Sequence, residues 1–409
     1  MNAPPAQAAP PPETPPGSTT QAPVVRRKTS RGLWIVVGVV VVVIVVVGAG
    51  FGTHWYGLQK SSTSSTPCPT SEILSGAGAS FLNAVMSVWT IGYSTASSNQ
   101  IDYNPSGAGA GIISLADKQV DFAATDEPLN ASDVAAMPGS ILTLPVTGGP
   151  VTIVYDIPGY THTLNLTANQ LSGIYLGTIT NWASPVLASN NPGLPSAPII
   201  SVHRSDQAGT TYVLTNLLTD VNTTWASAVG TTVLPTPWPK TPSQTEMAEK
   251  GNSALAKAVV ATKDSIGYVD LPDAINNKLT TAGVLNLAGH YVQPTIAATE
   301  GAIQNLSGQK IPPATGNWAN VSWVNSPGSY DYPLATLSYF VVLQDTSLGY
   351  TPTLAHAEAL VQWLHWVLTT GQGLSGGVDY VNPPANIVTQ DLNAIGGMEF
   401  TGSTIPSCK

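Results

Sequence analysis

Charge is scarce in this chain. Asp, Glu, Lys and Arg make up 9% of its 409 residues, where roughly a quarter is usual in a soluble domain. The shortage is lopsided: 14 Lys and Arg stand against 23 Asp and Glu, a net charge of −9. So few cations leave no basic footprint for nucleic acid, which excludes that class of partner. The same imbalance repels an anionic ligand at long range. Any anion site must therefore rest on local donors and not on the overall field.

Also missing are the constellations that catalysis needs. His54, His162, His203, His290, His356 and His365 are scattered, and none stands in a metal-ligand spacing such as His-Glu-x-x-His. His356 and His365 lie nine apart on one helical pattern, so they do not share a face closely. There is no Gly-x-Ser-x-Gly elbow, and no carboxylate and His cluster of the kind a phosphatase would use. The chain reads as a protein without catalytic residues, metal or cofactor, and no internal repeat is evident.

Cysteine is almost absent. Cys68 and Cys408 are the two, one just before the region with folded character and one at the penultimate position. With no other cysteine to mispair with, they are expected to clasp the two ends of the domain in an oxidising compartment. What is plentiful is Ser, Thr, Asn, Gly and Pro, as in proteins facing an outside environment, and the 43% hydrophobic content is ample for two or three folded units.

Residues 1–32 are Pro-, Ala- and Thr-rich at first and cationic at the end, and are expected to form a disordered cytoplasmic tail. Arg26-Arg27-Lys28 and Arg31 precede an uncharged run from Leu33 to Phe51. Its nineteen residues at about 1.5 Å each span roughly 28 Å, close to the hydrocarbon thickness. Trp34 lies at one end, Trp55 and Tyr56 at the other. A single-pass transmembrane helix over 33–52 is expected, N-terminus cytoplasmic and the rest outside the cell or in the periplasm. A cleaved signal peptide is the alternative, but its apolar core is normally shorter. Residues 53–69, with Ser61-Ser62-Thr63-Ser64-Ser65-Thr66, form a flexible spacer. Five Asn-X-Ser/Thr sequons follow, at Asn130, Asn165, Asn222, Asn305 and Asn320.

Short helical patterns then alternate with short apolar runs, which indicates α/β architecture. Leu82, Val85, Met86 and Trp89 share one helical face. Leu214, Leu217, Leu218 and Val221 share another, and Leu354, Ala357, Leu360, Val361, Leu364 and Val367 a third. Residues 120–124, 150–155 and 337–343 read as strands.

Three Gly-rich segments each lead into a helical pattern: Gly76-Ala77-Gly78-Ala79-Ser80-Phe81, Ser106-Gly107-Ala108-Gly109-Ala110-Gly111, and Arg204-Ser205-Asp206-Gln207-Ala208-Gly209-Thr210-Thr211. A helix N-terminus offers unpaired N–H groups and a positive dipole end, and glycine lets an anion approach the backbone. Thr125-Asp126-Glu127-Pro128 adds a carboxylate after a strand, and Arg204 a guanidinium suited to a tetrahedral oxyanion. Taken singly each has a plainer use. Asp126 would serve as an N-cap or turn residue before Pro128, Arg204 as half of a surface ion pair with Asp206, and Ser80 as the cap of the Leu82 helix.

The order of these motifs changes the weighting. GAGASF at 76–81, YNPSGAGAGI at 103–112, VDFAATDEPL at 120–129, YLGTITNW at 175–182, RSDQAGTTYVLTNLL at 204–218 and IGYVDLPDA at 266–274 resemble the phosphate-binding proteins of ABC phosphate importers. The resemblance spans about residues 75–400. It implies a type II periplasmic-binding-protein fold, two α/β lobes joined by two crossing strands. Lobe 1 would comprise 70–146 and 333–409, and lobe 2 would comprise 147–332, with crossings near Leu144-Pro145-Val146 and Tyr332-Pro333-Leu334. It implies capture of inorganic phosphate and delivery to the permease subunits of an ABC importer by a monomer, with the Leu33–Phe51 run adding the expected tether. Residue by residue, it assigns phosphate binding to Ser80 and Phe81, to Ser106, Gly107 and Ala108, to Asp126, and to Arg204, Asp206, Ala208, Gly209 and Thr210. Ala108 and Ala208 replace the hydroxyl residues usual in the family, with Ser106 and Thr211 near enough in sequence to compensate. A binding protein for another tetrahedral oxyanion, or a cell-surface structural or adhesive protein, are the alternatives.

Overall fold

The computed structural model describes residues 71–234 and 244–406. Eight strands form the main path of one mixed sheet. They are β1 (Ile73–Gly78), β2 (Gln100–Asn104), β3 (Phe122–Thr125), β4 (Ile141–Asp156), β5 (Ile200–Arg204), β6 (Thr245–Glu249), β7 (Ser265–Asp270) and β8 (Ala335–Leu343). Their order is β2-β1-β3-β8-β4-β7-β5-β6, with the short strand Thr280–Thr281 added beside β4. β1 runs parallel to β2 and β3, and β5 runs parallel to β6 and β7. β8 and β4 cross between these two parallel sets in antiparallel pairings.

The two central strands read as they do for a physical reason. β8 is ATLSYFVVL with every residue buried, the near-continuous apolar run of a strand covered on both faces. β4 is longer than the apolar run 150–155 suggests, because its first half, with Thr, Pro and Gly, hides the pattern. Along 141–150 it pairs with β8, and from Val151 onward with β7. One strand thus serves both parallel sets and changes partner at Pro150 and Val151. Pro145 has no N–H to give to a ladder, and the β4/β8 register shifts there, beside Ser338 and Tyr339. The segment 120–124 becomes a strand only from Phe122, since Asp121 turns its N–H to the Ser75 carbonyl and its carboxylate to the Ser75 N–H.

Three helices carry the apolar faces read from the sequence. α1 (Asn83–Ala96) buries Val85, Met86 and Trp89, with Leu82 just ahead of it. α4 (Gly209–Val221), which follows α2 (Ala108–Ala116) and α3 (Ala131–Ala136), buries Leu214, Leu217 and Leu218, but Val221 is 40% exposed because it is the last helical residue. α7 (Leu354–Leu368), which follows α5 (Asn252–Ala261) and α6 (Leu271–Asn276), buries Ala357, Leu360, Val361, Leu364 and Val367, while Leu354 is 43% exposed in the first turn. The third residue of α7 is His356, which is buried between two carboxylates: Nε2 lies 2.9 Å from Asp121 Oδ1 and Nδ1 lies 3.0 Å from Glu72 Oε2. Among the described residues no helix is long and apolar enough to cross a membrane. The Leu33–Phe51 run, the spacer and the Cys68–Cys408 pairing lie outside the described residues.

Candidate anion-binding site

Every Gly-rich segment departs from the C-terminal end of a parallel strand, the end at which open α/β sheets place their ligands. The first follows β1, the second follows β2 and enters α2 (Ala108–Ala116), and Asp126 follows β3 ahead of α3 (Ala131–Ala136). On the other side of the central pair, Arg204 ends β5 ahead of α4, and Asn252 follows β6 as the first residue of α5 (Asn252–Ala261). Asp270 ends β7 ahead of α6 (Leu271–Asn276). The two sets of strand ends face each other and touch.

Ser80 starts a 3₁₀ turn, Ser80–Leu82, that runs into α1, and its side chain caps neither element. Its Oγ instead accepts the Asn252 backbone N–H at 3.3 Å, a contact between the two sides. With the oxygen used as an acceptor, the Ser80 O–H remains to donate. Phe81 is 1% exposed and meets Tyr380 edge-on at 5.7 Å, while the Tyr380 hydroxyl donates to the Phe81 carbonyl. The turn is pinned by these contacts. The N–H groups of Ser80 and Phe81 come before the first internal donor of the turn, the Leu82 N–H, which bonds the Ala79 carbonyl at 3.3 Å, so helix geometry leaves them without an internal partner.

Gly107 precedes α2 at φ +104°, and a Cβ there would stand 2.8 Å from Asp206 Oδ2. A side chain is excluded by both conformation and contact. Its own N–H is spent on the Gly78 carbonyl at 2.8 Å. The donors of this loop are therefore the first-turn N–H groups of α2, starting with Ala108, which is buried. Ser106 is half-buried at the rim.

Arg204 is 2% exposed, so it is no surface residue. Nε and Nη2 donate to the two Asp206 oxygens at 2.7 and 2.6 Å, and Nη1 donates to Asn252 Oδ1 at 2.6 Å and Thr210 Oγ1 at 3.2 Å. Those four bonds use four of the five guanidinium N–H groups, leaving one on Nη2. Asp206 also cancels most of the charge. Arg204 thus acts as a rigid strut that presents one N–H, and the backbone must supply the rest. Asn252, fully buried, is fixed in turn by its Nδ2 donating to Asp270 Oδ2 at 2.7 Å. Burial pushes the Asp270 carboxyl well up, with the neighbouring Asp273 adding to it.

Asp126 is 3% exposed. It does not cap α3, whose cap is Asn130. Its Oδ1 accepts the Ser338 hydroxyl at 2.7 Å, and Gly209 sits so close that a Cβ there would overlap the Asp126 side chain. Burial raises the Asp126 carboxyl to about 7, against the lowering effect of the Ser338 hydrogen bond and of Arg204.

The structure brings together Ser80, Phe81, Gly107, Ala108, Asp126, Arg204, Asp206, Gly209 and Thr210. Two details differ from the sequence reading. The Ala208 N–H is spent on the Val233 carbonyl at 3.1 Å. Thr211, near enough in sequence to stand in for a missing hydroxyl, is fully buried with its Oγ1 paired to Tyr268 Oη at 2.8 Å, a pair in which either hydroxyl can donate. Asn252, Ser338, Asp270 and Tyr380 were not foreseen. The Gly251-Asn252 step at a helix start repeats the signal of the other loops, and Asp270 lies within IGYVDLPDA. Ser338 and Tyr380 carry no local signal.

Known proteins resemble this chain in sequence and in fold. A family described as a PBP superfamily domain matches residues 62–370. The phosphate-binding protein PstS of Xylella fastidiosa is 31% identical over 362 residues, covering 84% of this chain and 91% of its own. That of Pasteurella multocida is 32% identical over 321 residues, covering 78% and 88%. In fold, a phosphate-binding protein from Stenotrophomonas maltophilia superposes with a TM-score of 0.58 at 19% identity, covering 78% of this chain and 93% of its own. A human phosphate-binding apolipoprotein gives 0.62 at 17%, covering 77% and 92%.

Proposed function

From the premise that this chain belongs to the phosphate-binding protein PstS family of the PBP superfamily, we propose that it captures inorganic phosphate between the facing strand ends and hands it to the permease subunits of an ABC importer. It is a substrate-binding protein and not an enzyme. Two lobes, 70–146 with 333–409 and 147–332, close on the ion, with β4 and the chain entering β8 as the crossings. Leu33–Phe51 tethers the protein so that the binding domain works outside the cytoplasm as a monomer, and Cys68 pairs with Cys408.

The observation that carries the reading is the set of donors without internal partners. The N–H groups at Ser80 and Phe81, at the first turns of α2 and α4, and one on Arg204 belong to the loops that meet near Asp126, the carboxylate left once Asp206 is paired with Arg204. In a chain of net charge −9 with its one site cation paired to Asp206, backbone dipoles provide the attraction. Asp126 provides the choice. Phosphate near neutral pH still carries a proton that can be donated to an ionised Asp126. Sulfate has none, and would set an oxygen lone pair against a buried carboxylate. With Ala108 and Ala208 lacking hydroxyls, phosphate oxygens rely on N–H donors and on the Ser80 hydroxyl.

Calorimetry of the full chain against phosphate, sulfate, molybdate and tungstate tests this. Phosphate is expected to bind far more tightly than sulfate. Tighter binding of another tetrahedral oxyanion would assign the site to that ion, and no heat with any of them would overturn the reading.

A further inference from the structure

Glu127 follows Asp126 but faces a different partner. It is 3% exposed, and its Oε1 accepts Gln207 Nε2 at 3.2 Å. That bond joins the loop after β3 to the loop before α4, so it spans the two sides of the site. The Gln207 side chain lies so close to Gly109, in the first turn of α2, that a Cβ there would overlap it. The amide is therefore wedged in place. Glu127 Oε2 is also buried, and among the described residues no hydrogen-bond partner reaches it.

The groups that act on this carboxyl offer no positive charge. Asp126 beside it and Asp133 on α3 both oppose its ionisation, and only the Gln207 hydrogen bond favours it. Tyr212 on α4 faces it as well, its own hydroxyl pushed up to about 12 by burial and by the Glu127 charge. An ionised Glu127 would hold a bare oxygen away from water among like charges. Burial accordingly raises this carboxyl to about 8.

We propose that Glu127 is a proton-coupled latch of the binding cleft: it bonds Gln207 as a neutral carboxylic acid while the two sides are closed and returns its proton to water when they part. The inference rests on the reading of the cleft as a phosphate site that closes on its ion. The proton balance is simple, with one proton taken up at Glu127 on closure and one released on opening. A solvated Glu titrates near 4.3. Closure is then unopposed below about pH 4.3, grows harder as pH rises from there to about 8, by up to tenfold per unit, and levels off above. The cleft retains its ion on the acid side of that window and lets it go more readily on the alkaline side.

Calorimetry on the full chain measures this, with phosphate as the probe, in buffers of different ionisation enthalpy and from pH 5.5 to 9. Parent and Glu127→Gln are compared, and Glu127→Leu serves as a second side chain that cannot titrate. At pH 7.5 the parent is expected to take up about one proton more per phosphate bound than either variant. Between pH 6 and 8 its affinity should fall at least about tenfold relative to theirs. Equal proton counts and parallel pH profiles, with phosphate bound by the parent, would overturn the latch alone. A parent that binds no phosphate would overturn the phosphate reading and the latch together.

Discussion

Two buried polar clusters of this protein show opposite strategies. At the edge of the first parallel set, His356 has a carboxylate on each ring nitrogen, and Asp121 accepts in addition from the Ser75 N–H and hydroxyl and from Thr351. Every strong group there is matched by another. Burial alone would lower the His356 pKa, but Asp121 and then Glu72 outweigh it, so the imidazole is held above its usual value and its protonated form is favoured. At the cleft, Asp126 accepts one side-chain hydrogen bond, from Ser338, and Glu127 leaves an oxygen unmatched. Buried polar groups are normally satisfied. A fully matched cluster has nothing left to offer a ligand and serves to hold the fold, whereas an undermatched one is poised to receive something.

Breaking the strut of the cleft should have the largest effect. Arg204→Ala leaves Asp206 and Asn252 without their partner, and loss of one member of a buried pair costs on the order of 3–5 kcal/mol. Affinity for phosphate and for sulfate should both fall by more than about a hundredfold, read by calorimetry. A loss confined to phosphate would show that Arg204 discriminates rather than attracts.

The matched cluster should respond in the opposite sense. His356→Gln removes the cation between Asp121, which is fully buried, and Glu72, which is partly exposed. A cost on the order of 3 kcal/mol is expected, seen as a melting temperature lower by several degrees, with phosphate affinity within about twofold of the parent. Because the folded-state pKa of His356 is raised, its contribution is complete below about 6.5 and is lost as pH rises through the raised value. The gap between parent and variant melts should therefore close on the alkaline side. A gap that persists there would mean the ring packs but carries no charge.

Smaller effects sharpen the role of Asp126. Asp126→Asn should narrow the preference for phosphate over sulfate by roughly tenfold, the scale of one buried polar mismatch, because an amide can donate to either ion. In the parent, the carboxyl raised to about 7 is neutral below that pH, so the preference should shrink as pH falls below about 7 and be recovered above it. A ratio that does not change with pH would leave Asp126 a packing residue. The smallest change is Ser338→Ala. Removing a hydrogen bond that favours the ionised form should cost about 1 kcal/mol and move the recovery of selectivity to higher pH.

Much of this was legible locally. The faces of α1 and α7 followed from period, and the three Gly-rich loops announced helix starts with unpaired donors. The reading stalled where the signal depends on a distant partner. The first half of β4 was obscured by Thr, Pro and Gly that fit only because β8 lies alongside. Thr211 has no partner in its own segment; its Oγ1 pairs with Tyr268, far along the chain. His356 looked like one of six scattered histidines, since its carboxylates come from positions hundreds of residues away.

By itself the sequence determined which local pieces could hold an anion: glycines that admit close approach, helix starts that expose N–H groups, and an arginine with an aspartate two residues on to fix it. These depend on covalent geometry and short-range hydrogen bonding, which neighbours in the chain settle among themselves. What those pieces share is set by long-range packing. It brought the Asn252 N–H to Ser80, Gly209 to Asp126 and Gln207 to Glu127, and it removed water from the two carboxyls between them. The charge state of a carboxyl depends on solvent exclusion by every segment packed around it, and no stretch of sequence records that exclusion.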